Sequence, residues 1–228
     1  MMAGAALMFI ACGSNDQKEA DASQTTPNAK VDNAAALNVG DKDAAASVVM
    51  QNILNRKSVR SYNGEAIPDS VMEKLLRAAM AAPTGMDIRP WSFVVLTDKS
   101  QYETIFEGNH NMKKFMESGA IIVVCADTTV TRPTRENPNG PAVTRPNSMW
   151  RDDIAAATEN LLLAVEAHGL GACWTACYPF PETMAPVRKG LGLPDNVVPY
   201  AVVPIGYHDG TTQPKDKWDT SRIHYGRW

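Results

Sequence analysis

Amphipathic helical stretches that alternate with short, wholly apolar runs predict a three-layer α/β-type fold from about residue 46 to the C-terminus. Three observations carry this. WSFVVLT at 91–97 and AIIVVCA at 120–126 are short, apolar and rich in β-branched residues, so they read as buried strands. Around them, apolar residues recur at three- and four-residue intervals. The first 45 residues show neither pattern.

From the N-terminus, AALMFIAC is apolar, too short to span a bilayer, and ends at Cys12 after the small Ala11. It resembles a bacterial lipoprotein-type signal (residues 1–12), with Phe9 where Leu is usual and no Lys or Arg before the run. That resemblance implies a lipid anchor at Cys12 and a domain held outside the inner membrane; the alternative is a cytoplasmic protein. Residues 13–45 lack aromatic residues and hold few large apolar ones, so they are expected to form a disordered tether. Such a coil of about 35 residues reaches on the order of 30 Å.

Ser47 is placed to cap a helix through VVMQNILNRK, where Val49/Ile53 and Met50/Leu54 make an apolar face. A second helix lies in IPDSVMEKLLRAAMAAPTG. Ser70 and Glu73 have capping-box spacing, Val71, Leu75, Leu76 and Ala79 form a face, and Pro83 ends it. Residues 99–117 carry a weaker helical pattern. Residues 131–148, rich in Pro, Asn and Arg, read as a long loop, either a functional lid or a solvated excursion. MWRDDIAAATENLLLAVEAHG is a long helix with Gly169 at its C-terminal cap. A shorter helix starts near Pro181, and NVVPYAVVPIGYHDG is a strand. The terminal KDKWDTSRIHYGRW is aromatic and basic.

The chain has 22 Lys and Arg against 25 Asp and Glu, a formal charge of -3. That balance excludes a general nucleic-acid binder. Cys12, Cys125, Cys173 and Cys177 form no CxxC pair and no Cys/His metal spacing, so no metal site is expected. No GxGxxG follows a strand, and P-loop and GxSxG motifs are absent. The four histidines are scattered.

What remains is local. RKSVRSY (56–62) offers Arg56, Lys57, Ser58 and Arg60, and planar guanidinium forks suit phosphate. APTGMDIRPW (82–91) follows a helix with Pro83, Thr84 and Gly85, where the backbone allows close approach, and with Asp87 and Arg89. GACWTAC (171–177) sets small residues about Trp174, which would let a planar ring lie on the backbone beside Thr175 and Ala176. Lys215 and Lys217 add late cations. A phosphate at one end and a flat ring at the other describe a mononucleotide such as FMN. Each segment alone has a plainer reading: a solvated basic turn, a helix stop, a core aromatic.

Taken in order, RKSVRSY, AAMAAPTGMDIRPWSFVVL, ENLLLAVEAHGLGACW, LGLPDNVVPYAVVPIGY, PKDKW and HYGRW resemble the nitroreductase family of FMN-dependent oxidoreductases, from about Ser47 to Trp228. The resemblance implies an α+β fold, a three-layer sandwich with a central, mostly antiparallel sheet, spanning residues 46–228. It implies a homodimer with two FMN sites at the interface and chain ends wrapping the partner. It assigns the FMN phosphate and ribityl contacts to Arg56, Lys57, Ser58 and Arg60, and late phosphate contacts to Lys215 and Lys217. Trp174, Thr175 and Ala176 match the segment lining the ring. Asp87 stands where many members have Asn, and Arg89 where many have Gln. An Asp carboxylate there cannot donate as an amide can, and near a flavin it would disfavour the anionic reduced form. The implied reaction is ping-pong: hydride from NAD(P)H, or electrons from another donor, then transfer to a small-molecule acceptor such as a nitroaromatic or quinone. No catalytic acid or base is named, because the cofactor carries the chemistry. The alternatives are an exported flavin binder without turnover, or a specialised reductive dehalogenase or flavin-dependent dehydrogenase.

Overall fold

The computed structural model describes residues 42–130 and 147–228. The expected signal, the tether up to residue 41 and the loop at 131–146 lie outside them. Helix α1 (Lys42–Asn55) begins inside the stretch expected to be tether. Ala44, Ala45 and Ala46 are strong helix formers and Asp43 suits the first turn, so Ser47 lies within the helix rather than capping it. Helix α2 (Asp69–Met80) starts one residue before the expected cap at Ser70, with Pro68 as N-cap and no side-chain cap bond. Glu73 turns instead to Arg77 one turn on, at 2.7 Å. The expected apolar face holds in part: Leu75 and Ala79 are buried, Val71 and Leu76 only half-buried, and Met72, outside that face, is buried with them.

The sheet is built from β1 (Trp91–Leu96), β2 (Ala120–Asp127), β3 (Gly171–Ala172), β4 (Thr175–Ala176) and β5 (Val197–Gly206), in the order β1-β2-β5-β3, with β4 also on β5. Every pair of these strands is antiparallel. Alternation of elements therefore gave the layers but not the strand direction. The chain after β1 turns back through α3 (Lys99–Ile105) and a 3-10 stretch (His110–Phe115), so β2 returns beside β1 in the opposite sense.

Strand β2 is buried along nearly its whole length, which explains its unbroken apolar run. Its alternate residues divide the core. Ala120, Ile122, Val124 and Ala126 face Leu75 and Ala79 of α2 and Ile154, Leu161 and Val165 of α4 (Trp150–Ala167). Ile121, Val123 and Cys125 face Tyr102 and Ile105 of α3, Phe115, and Val187 of α5 (Pro181–Leu191). This is helix, sheet, helix: the three-layer α+β sandwich, with one core on each face of the sheet.

Two local features set the site's surroundings. Helix α4 ends at Ala167 with His168 as its C-cap, and Gly169, expected at the cap, follows one residue later; its φ of +70° lets Gly169 and Leu170 bond back to Glu166 and Val165. In β5 the pairing with β2 slips between Val124 and Cys125, so that Ala201 and Pro199 are partners on either side of Tyr200. Pro199 has no N–H to give the ladder, and the bulge leaves the Tyr200 carbonyl to accept from Cys177 and Tyr178. The chain beyond β5 carries one 3-10 turn (Thr220–Arg222) and leaves Trp218, Tyr225 and Trp228 at 75%, 90% and 98% exposure.

Candidate functional site

The basic segment is fixed to the sheet by its backbone. Ser58 forms a parallel bridge with Ala172, and Val59 N–H donates to the Ala172 carbonyl at 2.9 Å. Val59 itself is buried, and a Cβ on Gly171 would strike its side chain at 2.6 Å, so only glycine lets the two segments meet. Sequence-distant RKSVRSY and GACW are thereby neighbours, with Arg56, Lys57 and Arg60 at the end of the β3 edge.

These cations line a cavity of about 260 Å³ together with Ser58, Thr212, Gln213, Lys215 and Lys217. The two ends of the domain therefore close on one basic cradle. Thr212 and Gln213 had no motif of their own; the polar run before Lys215 is their only trace in the sequence. The five cations are not equivalent. Lys57 Nζ donates to both oxygens of Glu166, at 3.0 and 3.1 Å, and both side chains are only 15% exposed. Arg56 pairs with Glu159 at 3.4 Å. Arg60, Lys215 and Lys217 form no ion pair among the described residues; Arg60 only donates to the Ser58 carbonyl, at 3.1 Å. The first two shape the wall and the last three leave positive charge for an anion.

Beyond the cradle, Trp174 lies between β3 and β4, 5.9 Å from the Tyr200 ring. Tyr178 stacks near Tyr200 at 6.3 Å, Trp150 meets Tyr178 edge-on at 5.0 Å, and Arg151 lies over both Trp150 and Tyr178. Thr175 and Ala176 pair with Val202 and Ala201, so the ring-lining candidates form the edge of the sheet. Thr175 is half-buried and Ala176 exposed.

The Pro83–Arg89 loop is elsewhere. Gly85 N–H donates to Asp153 Oδ1 at 2.7 Å, near the start of α4, whereas Lys57 bonds Glu166 near its end. At roughly 1.5 Å per residue those α4 positions are about 20 Å apart. Within one chain, Pro83, Thr84, Gly85, Asp87 and Arg89 do not join the cradle. The loop is strained: Met86, Asp87 and Arg89 have φ of 53°, 56° and 54°, a region that costs non-glycine residues about 1 kcal/mol or more each. Arg89 donates to both oxygens of Asp87, at 2.6 and 2.7 Å. The Asp87 carboxylate is thus part of a bidentate pair, which raises the Arg89 guanidinium pKa and sets a positive charge directly against the carboxylate. Arg89 N–H also donates to Thr84 Oγ1 at 3.2 Å.

Cys173 is buried, and burial pushes its thiol pKa up, with Arg60 and Lys114 opposing. Cys125 and Cys177 are pushed up to about 12 and about 11 by burial. They are packing groups. Among the described residues no cluster of His, Cys, Asp or Glu could hold a metal ion, and no helix is long and apolar enough to cross a membrane.

The sequence pattern of the nitroreductase family matches residues 53–107 and 100–207. A protein of Archaeoglobus fulgidus, provisionally named NADH dehydrogenase/NAD(P)H nitroreductase, is 34% identical over 182 residues, covering 78% of this chain and 98% of that one. A crystal structure of a similarly named Parabacteroides distasonis protein is 40% identical, with a TM-score of 0.69, and is matched over 79% of this chain and 99% of its own. The FMN reductase (NADPH) of Bacillus subtilis is 22% identical over 77% of this chain and 72% of its length.

Proposed function

The chain belongs to the nitroreductase family of oxidoreductases, and from that premise we propose that it binds FMN and passes electrons from NAD(P)H, or another donor, to a small-molecule acceptor such as a nitroaromatic or quinone. The observation that carries the reading is the cavity shared by Arg56, Lys57, Ser58, Arg60, Lys215 and Lys217. Its donor set suits a phosphate monoester, with cations in excess of carboxylates and hydroxyl and amide groups between them. Arg60, Lys215 and Lys217 would hold the phosphate, and Lys57 and Arg56, locked by Glu166 and Glu159, would keep the wall in register. Trp174 and the β4 edge would carry the ring and keep water from one face. FMN supplies the two-electron chemistry when bound, in a ping-pong cycle. The Asp87–Arg89 pair would offer a neutral, rigid hydrogen-bonding surface rather than a bare charge.

A second copy would complete this site. The Pro83–Arg89 loop lies too far from its own cradle, and a homodimer would bring it to the partner's. Val48, Val49, Met50 and Leu54 of α1 are exposed, and a groove of about 820 Å³ opens between α1 and α4. Apolar surface of this kind is the usual basis of an obligate interface.

The test is direct. Purified protein should be yellow, with one FMN per subunit, and NADPH should bleach it. Protein that stays colourless after incubation with micromolar FMN overturns the reading. Membrane attachment through Cys12 is a separate proposal, supported by the apolar run ending at that cysteine. It would remove the domain from cytoplasmic NAD(P)H and require another donor. Cys12→Ala should move the protein from the membrane to the soluble fraction; wild-type protein recovered soluble with residues 1–11 intact ends it.

A further inference from the structure

Asp153 is buried at 3% exposure in the first turn of α4, and its two oxygens are spoken for by different segments. Oδ1 accepts from Gly85 N–H at 2.7 Å, and Oδ2 from Asn147 Nδ2 at 3.3 Å. Asn147 is buried too, and its own Oδ1 accepts from Met149 N–H at 3.0 Å, which fixes its amide orientation. Met149 closes over Gly85: a Cβ there would meet its sulfur at 2.8 Å. Gly85 opens the turn in which Met86, Asp87 and Arg89 take left-handed φ values. Such a turn keeps its shape only where its surroundings over-determine it.

We infer that Asp153 is a positioning residue for the reaction: through Gly85 and Asn147 it holds the Pro83–Arg89 loop in the strained shape that aims Asp87 and Arg89 at the flavin. The inference rests on reading that loop as ring-facing. The bonding arithmetic is specific. Asp153 must accept on both oxygens, because both neighbours are donors. The Asp153→Asn change still satisfies Gly85 but turns an NH₂ on Asn147, whose amide cannot flip without losing Met149. Exchanging the two side chains between these positions restores every bond. The amide moved to position 153 would accept from Gly85 and donate to the carboxylate moved to position 147, which would still accept from Met149.

The experiment compares wild type, Asp153→Asn and the double exchange Asp153→Asn/Asn147→Asp. Without flavin, hydrogen exchange across residues 83–90 should quicken about tenfold in Asp153→Asn, the loss expected for one buried bond, and return in the double variant. Exchange across 171–176 should stay level. With FMN, Asp153→Asn should alter the visible band shape of the bound flavin and raise the acceptor KM, and the double variant should recover both. Unchanged exchange at 83–90 overturns the inference, whether or not FMN binds. Quickened exchange with an unaltered flavin band and KM also overturns it, leaving Asp153 a structural residue. Failure of wild type to bind FMN overturns the function proposed above and removes the ring from the inference, which then fails with it.

Discussion

At the scale of single residues, the cradle separates cations that were indistinguishable in RKSVRSY. Arg60 keeps no carboxylate among the described residues, so its guanidinium is the one to lose. Arg60→Ala should weaken FMN binding by roughly 1.5–3 kcal/mol, about 10- to 100-fold, as measured by fluorescence titration. Full affinity in that variant would move the phosphate elsewhere. The buried thiols give a second prediction. Cys177 and Cys125 ionise at 9.0 ordinarily but at about 11 and about 12 in the fold, because burial penalises the thiolate. A raised folded pKa means that their stabilisation is complete below pH 9 and is lost as pH climbs toward the folded values, since the unfolded chain releases its protons first. The urea midpoint should fall as pH rises from about 9 to about 11. A level midpoint over that range would show the thiols to be solvated.

At the scale of elements, α2 and α4 pack together over one face of the sheet and share one core with β2. Leu75 is fully buried there among β2 and α4 residues. Leu75→Ala should cost about 2–5 kcal/mol, from lost transfer energy and the remaining cavity. Chemical denaturation would measure it, and a cost under about 1 kcal/mol would mean that α2 repacks freely. The helix ends were legible only in part. Gly169 announced its cap because a left-handed position favours glycine. Ser70 and Ser47 did not cap their helices, because Pro68 and the alanines from 44 to 46 start helical geometry earlier.

At the scale of the whole molecule, two apolar regions of one chain lack cover among the described residues: the α1 face and the C-terminal aromatics. A homodimer that buries both should run at twice the chain mass in light scattering and should hold together on dilution. Removing residues 223–228 takes away Ile223, Tyr225 and Trp228, and should give aggregated or flavin-free protein. A soluble, active monomer from that truncation would show that the site is complete within one chain.

The sequence by itself determined the layers, the three long strands and the chemistry on offer, but not the two-residue strands β3 and β4. Burial on both sides makes β2 apolar throughout, helix periodicity marks the faces of α2 and α4, and phosphate chemistry marks Arg56 to Arg60. Periodicity could not determine strand direction, because an apolar run reads the same both ways; the antiparallel order came from the resemblance of the ordered segments. Nor could the sequence show that Lys57 is held by Glu166, that Asp87 is held by Arg89, or that Asp153 is buried on two donors. Asp153 does lie four residues before Ala157 and so on the buried face of α4, but periodicity says only that it points inward. Which partners meet a side chain there depends on segments far apart in the chain, and only the packing of α4 against the Gly85 turn and the β3 edge against Ser58 decided that.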